Sequence, residues 1–552
     1  MCPRWSASLV LLLGACVQIR VKARRSDLRA AAQRVPPGAN GVAASVCVGL
    51  AVLASALHGS SGDDVYYINR AVWLAERGTP TLRDTIFSAG DLPTIYGDAL
   101  PLASIEAWQG AVAHALHMAA PTFIFLWTVP VLAAASGWAT WRLVRTWAPR
   151  RACLVFLVAT LFTLFSAGSV IGRYYIGVIW EGKVPAVTVV MPLTWHYLTR
   201  LVARPRRADL LMLLALGTCF VGLTSSAALM APVMAAGALL AAWLYRSTAC
   251  ALGAACFVLV PLAAGVASAM GPGVGGVAPT ALPPAQVFGY LYGVGTPMVV
   301  LGVLGTVLGA RLVQGPAAAV ATCASLSGLA SLVPGVYDVV NTATGAGPVA
   351  WRMVLGIPTA VLIGMLVTAR LPPTRISLRH PALCDWGVGV AACSLVVALI
   401  AHGTPLWSSK TGTSLAFGSW KLDRNALDDV RAVSQVSTPA GLWLLPPPQM
   451  GALAMTTTRR SGVVPRAFYL TNLTATEVAL ADRYVLYGLV TGHREAPTTV
   501  RAALQRLRVS LACVSAADAR ARGLLGSAVR APLEPHGSMQ CHVGLIDEHS
   551  GA

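Results

Sequence analysis

The sequence predicts a polytopic α-helical membrane protein over residues 1–402, followed by a small extracytoplasmic α/β domain over 403–552. Three observations carry this. The 552-residue chain is 56% hydrophobic and only 11% charged, where a soluble protein carries about 25% charged residues. Its apolar residues come in blocks of about 20, enough to cross a bilayer as helix, and the mean hydropathy is +0.65. Beyond Gly403 the composition turns soluble, and helix-like stretches alternate with strand-like ones.

Spans read near 41–58, 120–144, 152–168, 185–203, 208–223, 226–245, 249–267, 288–310, 314–334, 350–369 and 384–402. A shorter apolar run at 6–19 brings the expected count to about 11 or 12. Around Thr224–Ser226 two spans are divided, or one long helix is broken. The net charge of +19 raises the question of nucleic acid. Basic residues, however, gather between apolar blocks, where cytoplasmic retention explains them, and no nucleic-acid motif accompanies them. Arginine-rich connections at 20–34, 142–151, 200–207 and 370–379 form the cytoplasmic set. The loops 59–119, 169–184, 268–287 and 335–349, and the tail, are then outside. The protein is expected to sit multi-pass in the plasma membrane. Leu13-Gly14-Ala15-Cys16 approximates a lipoprotein cleavage box, but the basic run after it disfavours export of that segment.

Ten of the twelve cysteines lie in or beside apolar segments, where cysteine behaves as a small hydrophobe. None has metal-ligand spacing. Cys513 and Cys541, in the tail, can pair if the tail is extracytoplasmic.

The first outer loop, 59–119, opens with Ser61-Gly62-Asp63-Asp64-Val65-Tyr66-Tyr67. From Val65 onward the spacing is helical, and Val65, Ile68, Val72 and Ala75 share one face. Asn69, Arg70, Glu76 and Arg77 lie away from it, and Gly78 and Pro80 stop the helix. This reads as an interfacial helix lying on the membrane. A second amphipathic stretch begins near Leu102, with Glu106 and His114 or His117 near its polar side. One aspartate suffices as a helix N-cap. Two adjacent ones, in a chain with 22 acidic residues, also fit a carboxylate that takes a proton from an attacking hydroxyl or binds a divalent cation, its neighbour altering its proton affinity.

With its many spans, long first outer loop and acidic pair directly after a span, the layout resembles the GT-C class of integral-membrane glycosyltransferases. The stretch Gly62-Asp63-Asp64-Val65-Tyr66-Tyr67 is similar to the paired-aspartate motif of actinobacterial arabinofuranosyltransferases in that class. The resemblance implies a polyprenyl-phosphate-linked sugar as donor, with Asp63 or Asp64 as catalytic base. It also implies an acceptor hydroxyl in a cell-envelope glycan or glycolipid, and transfer of a hexosyl or pentosyl group with inversion.

A lipid-phosphate leaving group needs cations. The loop 169–184 offers Arg173 and Lys183, with Trp180 and Glu181 beside them for the sugar; the plainer reading is an aromatic belt with interface anchors. Arg352, at the outer start of a span, either snorkels or reaches the donor phosphate. Glu106 is a further carboxylate for that site. The Gly-rich loop 269–286 lacks the strand, lysine and helix of a phosphate loop. In the tail, Arg459, Arg460, Arg466, Arg483, Arg501, Arg506 and Arg508 form either a solvated surface or a face for anionic lipid or an acidic polymer, and Asn472-Leu473-Thr474 fits a glycosylation pattern. Two other classes stay open, a transporter or flippase and a non-enzymatic membrane scaffold. Against the former, few ionisable residues lie within the spans.

Overall fold

The computed structural model describes residues 35–59, 61–80, 85–86, 104–270, 284–293, 296–333, 335–344, 347–369, 381–470 and 478–545. The run at 6–19 with its cleavage box, the basic connections 20–34 and 370–379, most of the Gly-rich loop and Asn472 lie outside the described residues. Chain contacts form two compact units. The first takes its described residues from 1–57, 128–269 and 278–417, the second from 58–127, 270–277 and 418–552.

The first unit is helical, and every expected span that falls on described residues is occupied by helix. Their lengths vary. Among the described residues five helices are long and apolar enough to cross a membrane: Ala39–Ala56, Ala120–Trp147, Ala227–Tyr245, Thr248–Met270 and Val349–Thr368. A sixth is added if Gln286–Tyr292 and Pro297–Leu312, bent by 94°, make one broken span. Other expected spans hold shorter helices, such as Ala152–Leu164 with 13 residues and Pro316–Ala330 with 15. A hydropathy window averages over the residues where the backbone leaves the helix. Here those include π-helical turns at Ala186–Val190 and Gly305–Gly309 and the break at Thr224–Ser226 that separates Arg207–Leu223 from Ala227–Tyr245.

Small residues bring these helices together. A Cβ on Gly217 would collide with the Phe257 carbonyl, one on Gly309 with Leu362 backbone, and one on Gly364 with the Val155 carbonyl. Apolar helices in lipid gain little from excluding water, so close backbone approach and hydrogen bonds hold them. The buried tryptophans supply such bonds. Trp141 Nε1 donates to Asn40 Oδ1 at 3.1 Å, Trp147 to Thr199 Oγ1 at 3.1 Å, and Trp195 to the Gly356 carbonyl at 2.9 Å.

The second unit joins the described residues of 58–127 to those of the tail. Its helices are α1 (Asp64–Arg77), α2 (Ile105–Ala115), α3 (Arg424–Ser434), α4 (Pro447–Thr456), α5 (Val478–Val490), α6 (Pro497–Arg506) and α7 (Ala519–Val529). Its strands are β1 (Leu442–Leu444), β2 (Val509–Ser515), β3 (Glu534–His536) and β4 (Met539–Val543), in sheet order β1-β2-β4-β3. β1 runs parallel to β2, with Leu444 opposite Ala512; β2 and β3 both run antiparallel to β4. The α/β alternation expected of the tail is present. α4 is hard to see in the sequence because Pro446-Pro447-Pro448 suggests coil, although proline is well tolerated in a first helical turn. Cys513 and Cys541 stand opposite each other on β2 and β4 and form a disulfide.

Protein covers the apolar face of α1. α2 packs on it from one side and α4 from another, and Val65, Ile68, Ala71, Val72 and Leu74 are buried. The membrane-lying helix expected here is therefore corrected to one enclosed by its own chain. Asn69, expected on the polar face, is buried and donates to the Ala454 carbonyl at 2.7 Å. Glu106, expected near a polar side, is 2% exposed. α2 approaches through Gly110, where a Cβ would stand 2.5 Å from the Ala71 carbonyl and 2.9 Å from Leu74 Cβ.

Two outcomes are expected for the second unit. Gly110→Val lowers its stability by about 1–3 kcal/mol through overpacking, while Ala111→Val on the exposed side of α2 is close to neutral; thermal unfolding of the detergent-solubilised protein separates them. Cys541→Ser costs about 2–4 kcal/mol, and non-reducing peptide mapping of the wild type recovers Cys513 and Cys541 in one linked species.

Candidate functional site

The paired aspartates begin α1, and the structure gives them different surroundings. Asp63 occupies the N-cap position, but its carboxylate makes no capping hydrogen bond. It forms an ion pair with Arg466, Nη1 to Oδ1 at 2.6 Å, with 36% of the Asp63 side chain exposed. This corrects the cap expectation. Asp64 is fully buried and its Oδ2 accepts from the Ser61 N–H at 2.6 Å. The Ser61 hydroxyl in turn accepts from the Asp63 N–H at 3.3 Å, so the turn before α1 folds around both acids. Gly62 leaves the arginine room, since a Cβ there would come within 3.1 Å of Arg466 Nη2.

Two tail cations therefore belong to the pair. Arg466 reaches Asp63 and lies with Cζ 5.0 Å from the Phe468 ring centroid. Lys421 is 2% exposed. Burial pushes its ammonium down to about 8, and the Asp64 carboxylate, which favours the charged form, opposes part of that. A buried carboxylate is tolerable when a cation and hydrogen bonds accompany it. Sequence reading groups Arg466 with a basic surface and passes over Lys421. The only signal is a lysine between Trp420 and Leu422, a charged residue among large apolar ones.

The tail holds α1 at its far end as well. Glu76 accepts from the Thr457 hydroxyl at 2.8 Å, the Thr458 N–H at 2.8 Å and the Thr458 hydroxyl at 2.7 Å. Arg77 donates to the Thr458 carbonyl at 3.1 Å and stacks on Trp73. His114 Nδ1–H bonds the Ala75 carbonyl at 2.9 Å. Other tail arginines are also internally engaged. Arg483 is buried and donates to the Val463 carbonyl, Arg501 donates to the Ala528 carbonyl at 2.7 Å, and Arg506 pairs with Asp482 at 2.6 Å.

A second cluster lies in the first unit and gathers most of the cations and aromatics expected there. Lys183 Nζ pairs with Glu181 Oε2 at 2.7 Å, and both are buried. Lys183 also stands 5.4 Å from the Tyr174 ring centroid. Trp180 is 2% exposed. Arg352, on the 3₁₀ helix Gly347–Gly356, donates to the Ser226 hydroxyl at 2.5 Å and lies over Trp351. Trp351 stands 6.4 Å from Tyr174 and 4.9 Å from Tyr290. Burial pushes the Tyr174 phenol up, while Lys183 and Arg352 pull it back. Arg173 is exposed beside this cluster in sequence, in the π-helical turn Arg173–Gly177. Next to Tyr174 is a cavity of about 80 Å³. Threonine and tyrosine hydroxyls, among them Thr160, Thr163 and Thr188, interrupt its apolar lining.

A divalent cation at Asp63 and Asp64 does not fit these residues. Among the described residues no group of three or more His, Cys, Asp or Glu is placed to hold a metal ion. The two carboxylates instead face a guanidinium, a backbone N–H and the field of an ammonium.

The buried Lys421 makes stability depend on pH. Between about pH 8 and the ordinary lysine value of about 10.4, the unfolded chain binds more protons than the folded one. Stability therefore rises with pH across that window, and the full penalty of the buried charge is present below it. The thermal midpoint of the wild type, followed from pH 8 to 10, rises more steeply than that of Lys421→Met.

No protein-family model matches the chain, and no curated protein matches it. Two solved structures are similar to it in layout. One is the archaeal oligosaccharyltransferase AglB from Archaeoglobus fulgidus, in complex with an inhibitory peptide and a dolichol-phosphate. It has 10% sequence identity and a TM-score of 0.44, with 93% of this chain and 75% of that chain covered. The other is the Archaeoglobus fulgidus oligosaccharyltransferase in the apo form, at 12% identity and a TM-score of 0.47, with 93% of this chain and 74% of that chain covered.

Proposed function

We propose that this chain is a membrane glycosyltransferase that moves a sugar from a polyprenyl-phosphate donor to an acceptor hydroxyl of a cell-envelope glycan or glycolipid, at the extracytoplasmic face. The observation that carries the reading is the unequal environment of the acidic pair. Asp63 is the carboxylate an acceptor can reach, and Asp64 is buried. Asp63 is the base, and Asp64, held by Ser61 and Lys421, is the positioning residue that keeps the turn in place.

In the proposed step Asp63 takes the proton of the acceptor hydroxyl as its oxygen attacks the anomeric carbon. The bond from that carbon to the lipid phosphate breaks, and the phosphate leaves with the electron pair. Single displacement inverts the anomeric centre. Arg466 has two roles. Paired with Asp63 it orients the carboxylate; turned toward the leaving phosphate it offsets the developing charge and frees the carboxylate to accept the proton. The donor-phosphate role proposed for Arg352, Lys183 and Arg173 belongs to the same reading. Lys183 is already neutralised by Glu181, which leaves Arg352 and Arg173 for that role. The Cys513–Cys541 disulfide supports an extracytoplasmic tail, because disulfides persist in oxidising compartments.

The test uses a strain lacking the chain, complemented with wild type, Asp63→Asn or Asp64→Asn. Envelope linkages and lipid-linked sugars are then measured. Asp63→Asn should cut transfer by about 100-fold or more and let donor lipid accumulate at normal protein levels. Asp64→Asn should lower both protein level and transfer. Full rescue by Asp63→Asn removes the base assignment. An uptake defect with intact glycans replaces the enzyme reading by a transporter.

A further inference from the structure

The second unit carries a groove outside the acidic motif, bounded by α3, β1 and the end of α4. It encloses about 560 Å³, within the range of small-molecule sites. Two indoles, Trp420 and Trp443, line it, and each carries a guanidinium over its ring. Arg431 Cζ is 6.0 Å from the Trp420 centroid, and Arg460 Cζ is 5.7 Å from that of Trp443. Arg459, exposed, completes three arginines, and no acidic side chain lines the groove among the described residues.

The cations are set in advance. Arg460 donates to the carbonyls of Thr438 and Pro439, each at 3.2 Å, which fixes its plane against the indole. Arg431 gives an N–H to Asp428 at 3.0 Å; both side chains are exposed, so this surface pair holds the arginine only weakly. Trp443 is 2% exposed, and its indole forms part of the groove wall.

Guanidinium groups select anions, carboxylate and phosphate above all. The partly exposed Trp420 indole favours flat or ring-shaped partners with apolar faces. The hydroxyl of Ser434 and the amide of Gln435 add hydrogen-bonding groups to the same lining. We propose that this groove binds an anionic saccharide, one whose rings carry carboxylate or phosphate groups. The inference stands apart from the transfer reaction proposed above. It concerns binding by different side chains, and its test contains no donor.

The shared chemistry, an anion on a polar ring or headgroup, is also offered by a lipid surface, so the experiment separates the two sources. Purified full-length protein in neutral detergent is titrated calorimetrically with an unsulfated uronate-containing disaccharide, with maltose as the uncharged control. Separate arms add vesicles of phosphatidylglycerol or of phosphatidylcholine. The expected result is binding of the uronate probe with Kd below roughly 1 mM and no binding of maltose. Arg431→Gln and Arg459→Gln should each weaken it by about tenfold. Ser434→Trp, at an exposed position, fills the groove with the charges kept and should abolish binding while the thermal midpoint stays unchanged. Absence of binding by the wild type, equal binding of maltose, or unchanged affinity in both arginine variants overturns the proposal. Phosphatidylglycerol vesicles that bind through the same arginines when the uronate probe does not also overturn it, and identify the ligand as a lipid headgroup.

Discussion

The second unit depends on one constraint: a helix with charged or polar groups on much of its surface has been enclosed by protein. α1 contains Asp64, Asn69, Arg70, Glu76 and Arg77 within 14 residues, and most of these must find partners once α2 and α4 close over it. Arg466 and Lys421 meet the acids at the start of the helix. The Ala454 carbonyl meets Asn69 in the middle, and Thr457 and Thr458 meet Glu76 and Arg77 at the end. The partners come from one tail region, so the tail's packing and the motif's geometry are a single arrangement.

That constraint explains the different surroundings of the two aspartates. Equal in sequence, they differ because a helix start points consecutive side chains about 100° apart. One is turned inward to Lys421 and the Ser61 amide, the other outward to Arg466 at the surface. The inward one is held by bonds on a buried turn. The outward one has a partly exposed ion pair that a competing anion can draw away.

Much of the architecture is legible in the sequence. Apolar blocks place helices at every expected span among the described residues, and the tail's alternation marks its strands β1, β2 and β4. What escapes depends on long-range contacts. Periodicity puts Asn69 on an exposed face because an amphipathic helix beside a span is taken to have lipid on one side and water on the other. Its burial needs α4, which three prolines conceal. Hydropathy marks 152–168 as a span but carries no sign that the helix stops at Leu164. The acidic pair is conspicuous by its rarity, whereas its counter-ions lie about four hundred residues away among arginines that look alike. Only the fold distinguishes Arg466 from Arg459.

The distance along the chain between Asp63 and Arg466 is 403 residues, and this bears on how the protein is made. A ribosome finishes α1 long before it has built the residue that neutralises the turn in front of it. Throughout that interval Asp64 has neither Lys421 nor a closed core around it, and the emerging helix must wait in water or at the lipid surface. Contacts of such long sequence separation form late and slowly. The acidic pair thus acquires its final electrostatic character only after most of the chain exists, and a chain cut short before Arg466 carries the motif's letters without its chemistry.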